Sequence, residues 1–357
     1  MTMRATLRRL LCFAILLAGG AALLLAAPNE KSLLTPDGTL YAVQAGRAAD
    51  LGVAGGNILP SDFIIEWTAR RQDGSVEVGI IPGTANGNAK RDLDLGYEEE
   101  SGALVLLWSE YFSYLNQIHL GIFRRGSWET VALAPNLGMP RAFNPRMLLS
   151  HHVARYEVEG GREVTANRPL LSIIWWEEAS KAQARYAPIF LDEDLNAQDL
   201  KVYDLPLLVG PDAPEAATAP GRSHMFPSLQ SEGLGGAVLA TFADLGREKL
   251  YVVKITFPNN LGRPDPGNLT WQRRRIPVVG IMLDSPLAPM PDMNDRSVLG
   301  TVLGAGYKPT QYWQDGDTVR YIRYDGRAWA ATRSIALDEQ MSYDRAVRLI
   351  EEMARGN

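Results

Sequence analysis

The side chains best suited to binding chemistry are arginines in two segments that share one pattern. Residues 139–146 (MPRAFNPR) and 221–227 (GRSHMFP) place an arginine four and five residues, respectively, before a proline. A guanidinium group can capture a carboxylate or phosphate through two parallel hydrogen bonds. The candidate ligand-binding residues are Arg141, Asn144, Arg146, Arg222, His224 and Arg296. The alternative is that these arginines pair with acidic neighbours at strand edges.

Histidines and carboxylates give weaker signals for a catalytic or metal site. His151 and His152 are adjacent, so on a strand they point to opposite faces and cannot both bind one metal without a bend. Glu177 and Glu178 are candidates for acid–base chemistry, but glycoside hydrolysis needs two carboxylates at a set separation across one site. We therefore expect no metal and no cofactor, and the catalytic residues stay unassigned.

The elements that must position these residues are β-hairpins that recur along the chain. Residues 117–128 (QIHLGIFRRGSW) and 318–329 (TVRYIRYDGRAW) each combine an alternating strand, a turn with glycine and a tryptophan that opens the next strand. A recurring hairpin unit is typical of a repeat architecture, and four-stranded antiparallel repeats indicate a β-propeller.

The repeats predict an all-β fold with one propeller over residues 33–338. Five four-stranded blades are expected, with six as the alternative, because residues 39–45 could start a blade or complete the last one. The second strand of each unit ends on a large aromatic residue that we expect to pack between adjacent sheets. These aromatics are Trp67, Trp108, Trp176, Phe242 and Trp313. A short amphipathic helix is expected at residues 342–354, and the protein is expected to be a monomer.

The repeat pattern resembles the sialidase-like propellers with BNR repeats, over most of residues 60–337. The resemblance rests on strands that open near Pro145 and Pro227, on tryptophans followed by acidic residues, and on glycine turns that lead to tryptophan. No full Asp-box is present, and the Arg-Ile-Pro motif at 275–277 stands near the wrong end of the chain. The resemblance implies either a non-catalytic module that binds a protein or an extracellular ligand such as a carbohydrate, or a glycoside hydrolase acting on an acidic sugar.

The N-terminal residues 1–27 predict export. Arg4, Arg8 and Arg9 precede an uncharged run at residues 10–27, which is the order of a secretory signal. The run has 18 residues, near the lower limit for spanning a bilayer, so a retained membrane anchor is the alternative to cleavage. We expect a periplasmic or extracellular location in either case.

Composition excludes two further classes of protein. The formal net charge is −5 and the pI is about 5.6, so the chain lacks the basic footprint of a nucleic-acid-binding protein. The only cysteine, Cys12, lies in the leader, so the exported part cannot form an internal disulfide and depends on its hydrophobic core.

Overall fold

A computed structural model describes residues 29–53, 55–112, 115–133, 142–157, 163–178, 182–192, 200–205, 225–232, 237–244, 249–256, 278–288, 299–338 and 341–356. These residues form five four-stranded antiparallel sheets, and in each sheet the strands lie in chain order. The chain falls into two compact units, Met1–Gly138 with Asp338–Ser342 and Met139–Leu337 with Tyr343–Asn357. The predicted leader, residues 1–27, lies outside the described residues.

The first unit contains two sheets and a one-turn helix, Ala48–Leu51. Sheet 1 consists of β1 (Glu30–Leu34), β2 (Leu40–Arg47), β3 (Phe63–Arg70) and β4 (Val76–Ile80). Sheet 2 consists of β5 (Ala89–Glu98), β6 (Ala103–Phe112), β7 (Leu115–Arg124) and β8 (Ser127–Ala132). Because β2 pairs with β1 and β3, residues 39–45 belong to the first sheet and do not complete the last one.

The two sheets of the first unit pack face to face around tryptophans. Trp67 of β3 and Trp108 of β6 are both buried, as the aromatic pattern predicts. The Trp67 ring lies 5.3 Å from Phe123 and 6.3 Å from Trp128, centroid to centroid. It also covers Gly79, where a Cβ atom would lie 2.6 Å from the Trp67 Nε1. The absence of a side chain at residue 79 therefore makes room for this ring.

The second unit contains three sheets and the C-terminal helix (Tyr343–Arg355). Sheet 3 consists of β9 (Ala142–Glu157), β10 (Glu163–Glu178), β11 (Ala182–Phe190) and β12 (Tyr203–Leu205). Sheet 4 consists of β13 (Met225–Ser231), β14 (Val238–Asp244), β15 (Lys249–Thr256) and β16 (Val278–Pro286). Sheet 5 consists of β17 (Gly300–Leu303), β18 (Pro309–Asp315), β19 (Thr318–Arg323) and β20 (Arg333–Ala336), with a 3-10 turn at Ala305–Tyr307.

The sheets of the second unit are joined by apolar packing and by side chains at their edges. Trp176 of sheet 3 packs in one cluster with Phe242 of sheet 4, and Trp313 of sheet 5 packs in another with Leu250 of sheet 4. All four side chains are buried, which confirms the packing role predicted for the three aromatics.

At the edges of sheets 4 and 5, side chains of β13 bind the backbone of β17. The Leu303 N–H donates to Gln230 Oε1 at 2.9 Å, and Gln230 Nε2 donates to the Leu303 carbonyl at 2.9 Å. The Thr301 N–H donates to Ser228 Oγ at 3.0 Å. These bonds satisfy backbone groups of β17, the edge strand of sheet 5, which forms no backbone pairing with sheet 4 among the described residues.

The two hairpins that carry the sequence repeat differ in detail. In β7–β8 the loop is Arg125-Gly126, with φ of 54° and 80°, the positive values of a type I′ turn. Trp128 follows in β8, as predicted. In the second copy Trp329 pairs with Tyr324 in an isolated bridge, so it lies before β20 and does not open it.

The C-terminal helix confirms the prediction for residues 342–354. Ala346, Ile350 and Ala354 recur every four residues and are buried, and the helix packs on β17, β18 and β19. Its end approaches Gly304 so closely that a Cβ there would lie 2.2 Å from the Ala354 carbonyl oxygen. Within the described part of the chain, no helix has both the length and the apolar character required to cross a bilayer.

Candidate functional site

A cluster of polar side chains lies in the first unit at the end of the interface between its sheets. Strand register brings it together, because Lys90 of β5 and Gln117 of β7 both lie opposite Glu110 of β6. His119 of β7 lies opposite Trp108. Directly opposed residues share a face, so all of these side chains lie on the face of sheet 2 that packs against sheet 1.

Lys90 is the buried anchor of this cluster. Its Nζ donates to the Phe63 carbonyl at 3.2 Å, to Asn86 Oδ1 at 2.5 Å and to the Asn88 carbonyl at 2.7 Å. Burial lowers the pKa of Lys90 from 10.5 to about 8, although the Glu110 carboxylate, 3.9 Å away, opposes this shift. Because an ammonium group has three donors and all three are used, Lys90 holds the loop before β5 in place.

The two oxygens of the Glu110 carboxylate have different surroundings. Oε1 accepts hydrogen bonds from the side-chain amides of Asn86 at 3.1 Å and Asn88 at 2.7 Å. Oε2 lies 3.9 Å from Lys90 Nζ and 3.8 Å from His119 Nε2. Among the described residues Oε2 accepts no hydrogen bond, so this oxygen can accept one from a ligand.

His119 faces that oxygen as a neutral ring. Its imidazole stacks on Trp108 with 5.3 Å between centroids and 17° between planes. Burial lowers the pKa of His119, Glu110 opposes this effect, and Lys90 adds to it. The buried Nε2 has no hydrogen-bond partner in the described part of the chain. A hydroxyl group placed beside Nε2 and Glu110 Oε2 could bond to both, since neither atom has a hydrogen-bond partner among the described residues.

Phe112 gives this cluster an apolar platform. It lies two residues after Glu110 on β6, hence on the same face, and 59% of the residue is exposed. An exposed aromatic ring on the same face as a carboxylate, an imidazole and the Gln117 amide suits a ring-shaped ligand with apolar faces and hydroxyl edges. We call Glu110, Phe112, Gln117 and His119 the sheet-2 site.

Of the six binding residues predicted from sequence, only Arg146 has a described side chain. Asn144 lies in β9, but its side chain is not described. The remaining four lie outside the described residues: Arg141, Arg222, His224 and Arg296. Convergence of the arginines on one opening therefore stays a prediction.

Arg146 itself lies among tyrosines of the second unit. Its Nη1 donates to the Pro145 carbonyl at 3.0 Å. Burial raises the pKa of Tyr343 to about 12 and also raises that of Tyr312, and the nearby Arg146 charge opposes both shifts. The Tyr312 ring lies over Gly300, where a Cβ would be 2.2 Å from its Cζ atom. Arg146 is thus an electrostatic neighbour of two phenol groups on sheet 5 and the C-terminal helix.

The acid–base candidate Glu177 has a structural role. Only 3% of its side chain is exposed, and its carboxylate accepts hydrogen bonds from Arg185 at 3.2 and 3.3 Å. The side chain of Glu178 is not described. In the described ranges, no three His, Cys, Asp or Glu side chains are grouped in a way that could hold a metal ion.

Sequence reasoning did not find the sheet-2 site as a unit. In the sequence, Glu110 is one acidic residue that follows a tryptophan, and His119 stands within an alternating strand. The available signal was Lys90, a lysine at the start of the strand that precedes Trp108, because a buried lysine needs several oxygen partners.

Comparisons with known proteins found solved structures at low sequence identity. No protein-family model matches the sequence, and no curated protein matches it. A structure of a protein of unknown function from Dyadobacter fermentans matches at 11% identity, over 88% of this chain and 83% of that chain, with a TM-score of 0.43. A fucoside complex of a lectin from Aleuria aurantia matches at 12% identity, over 87% and 80%, with a TM-score of 0.37.

A third match is the NanB sialidase from Streptococcus pneumoniae. It has 10% identity, covers 88% of this chain and 52% of that chain, and gives a TM-score of 0.30. Each TM-score is below 0.5, so we transfer no activity, ligand or site residue from these proteins.

Proposed function

We propose that this protein is an exported β-propeller that binds a carbohydrate or a similar polyhydroxyl ligand without hydrolysing it. The observation that carries the proposal is the sheet-2 site, where exposed Phe112 shares a sheet face with Glu110 and His119. The buried His119 Nε2 lies 3.8 Å from Glu110 Oε2 and has no hydrogen-bond partner among the described residues. Sugar rings need both an apolar surface for their C–H faces and polar groups for their hydroxyls.

The geometry favours binding over hydrolysis at this site. A glycosidase places two carboxylates on either side of the scissile bond. Among the described residues the sheet-2 site supplies one carboxylate, and two amide groups already hold its Oε1. Lys90 uses its three donors within the protein and is too buried to attack a substrate.

A glycan array probed with the purified full chain tests this proposal, followed by titration calorimetry with the best ligand. Phe112→Ala should weaken binding by about tenfold or more, because the platform is lost. Val78→Ala is the matched control, since Val78 is an exposed apolar residue of sheet 1. Similarly, Glu110→Gln should weaken binding, and Glu77→Gln on β4 should not. Absence of glycan binding, or equal binding by the Phe112 and Val78 variants, contradicts the proposal.

Glycoside hydrolysis is the alternative, and the observation in its favour is the position of Arg146 near Tyr312 and Tyr343. An arginine beside tyrosines could clamp an acidic sugar near a phenol group. A panel of fluorogenic glycosides distinguishes the two functions. Turnover that is lost in Arg146→Gln but kept in Glu110→Gln would support hydrolysis in the second unit and would contradict the binding proposal.

Two wider features belong to the same proposal. The five sheets would form the blades of one ring, so small-angle scattering should give a radius of gyration of about 20 Å, as for one compact body of this length. Residues 1–27 would direct export, with residues 10–27 either removed or kept as an anchor. Mass spectrometry of the mature N-terminus separates these two outcomes, and recovery of the full-length chain from cytosol would contradict both.

A further inference from the structure

A cavity of about 250 Å³ lies within the second unit between sheet 5 and the C-terminal helix. Strand register places four of its lining side chains on one face of the sheet. Thr310 of β18 lies opposite Arg323 of β19, and Tyr321 of β19 lies opposite Arg333 of β20. The helix packs on this face through Ile350 and its neighbours, so the cavity is bounded by the sheet on one side and by the helix on the other.

Much of the cavity wall is apolar. Ile350 and Ala354 are 1% and 2% exposed and close the inner side. Met353 lies next to them, within 4.0 Å of the Tyr321 hydroxyl. Exposed Ala331 lies at the outer side. The volume is slightly below the usual range for ligand pockets, so it suits a ligand of few atoms.

Among the described residues that line the cavity, two carry a positive charge and none carries a negative charge. The charged residues are Arg323 and Arg333, and the described part of the lining contains no carboxylate. Neither arginine forms an ion pair or a side-chain hydrogen bond with another described residue. Arginine side chains in this state can bind a carboxylate from outside the protein.

Thr310 gives a second, independent indication that the cavity can hold a polar ligand atom. It is 3% exposed, it lines the cavity, and its Oγ1 has no hydrogen-bond partner among the described residues. A buried hydroxyl without a partner costs about 1–3 kcal/mol. A ligand oxygen in the cavity would remove that cost, and Arg323 lies directly opposite Thr310 to hold the same oxygen.

We propose that this cavity binds a small carboxylate with an apolar body, such as a medium-chain fatty acid. The carboxylate lies between the Arg323 guanidinium and the Thr310 hydroxyl, and the hydrocarbon chain lies against Ile350 and Met353. This site is separate from the sheet-2 site and needs no part of the function proposed for it.

Titration calorimetry of the full chain with octanoate tests the proposal, with octylamine and octanol as probes of equal chain length. We expect octanoate to bind with a dissociation constant below about 1 mM. Octylamine should not bind, because two guanidinium groups repel it, and octanol should bind about tenfold or more weakly than octanoate. Failure of octanoate to bind, or equal binding of the three probes, overturns the proposal.

Variants locate the binding within the cavity. Arg323→Gln should weaken octanoate binding by about tenfold or more, whereas Arg327→Gln on the exposed turn should not change it. Ala331→Trp adds bulk at an exposed position on the cavity, so it should block binding in a folded protein. Thr310→Val keeps the side-chain shape and should weaken binding by removing the hydroxyl. Octanoate binding that survives both Arg323→Gln and Ala331→Trp unchanged would refute the site.

Discussion

The burial of Lys90 predicts that the first unit becomes more stable as pH rises from 7 to 9.5. In the folded protein burial lowers the pKa of Lys90 from 10.5 to about 8. Between these values the unfolded chain binds a proton that the folded chain does not, so the free energy of unfolding increases with pH. The full pKa difference corresponds to about 3 kcal/mol, of which about 2 kcal/mol is gained between pH 7 and 9.5.

Urea unfolding at pH 7, 8, 9 and 9.5 measures this change. The tryptophans Trp67, Trp108 and Trp128 lie in the core of the first unit, so their fluorescence reports its unfolding. Measurements should stop below pH 10 because burial raises the pKa of Tyr186 and other tyrosines, and a raised tyrosine pKa gives the opposite slope there.

Two lysine variants identify the group responsible. Lys90→Met should lower the free energy of unfolding by about 3–5 kcal/mol, because it leaves buried oxygens and the Glu110 charge without their partner. It should also lose the increase with pH. Lys254→Met is the control. Hydrogen bonding to Glu232 raises the pKa of Lys254 above 10.5, so this lysine changes the pH dependence of stability only above pH 10. A wild-type stability that is flat or falling over this range, or a slope that persists in Lys90→Met, would refute the reasoning.

Three further substitutions test separate contacts. Glu110→Gln should lower the pKa of Lys90 further, because the Glu110 carboxylate opposes the lowering by burial. The free energy of unfolding should then rise with pH at lower pH than in the wild type, and urea titrations at pH 6 and 7 would show this rise. Gly79→Ala should cost about 1–3 kcal/mol in the same assay, since its Cβ would lie 2.6 Å from Trp67 Nε1, and an unchanged midpoint would contradict the packing described. Gln230→Leu should cost about 2–4 kcal/mol in thermal unfolding, because the Leu303 N–H and carbonyl both lose their partner, and no loss would show that these groups find others.

Alternation of apolar and polar residues was sufficient to predict most strands and the helix. The strand around His119 and the buried position of Trp313 follow from local pattern, because each depends on one face of one element. The short strand β1 was missed, since its residues are mostly exposed and carry no clear apolar period. Its existence depends on pairing with β2, which a local pattern cannot show.

Strand periodicity could not place Lys90 next to the sheet-2 site, for a different physical reason. In a regular strand Lys90 and Leu95, five positions apart, would point to opposite faces. A bulge between Arg91 and Asp94, with φ of 54° at Asp92, adds one residue and places both on the core side. The contact between Lys90 and Glu110 therefore depends on one irregular turn of backbone, for which the sequence carries no periodic signal.

The glutamine bridge between sheets 4 and 5 has a consequence for aggregation. The edge strands β13 and β17 would otherwise present unpaired N–H and carbonyl groups that could recruit a strand from another molecule. Gln230 and Ser228 occupy those groups on β17 with side chains. Because side chains and not a backbone strand bind these groups, sheets 4 and 5 do not merge into one continuous sheet. The same bonds leave fewer free backbone groups on β17 for pairing with a strand of another molecule. Shortening Gln230 to asparagine would reopen the edge without altering any core residue.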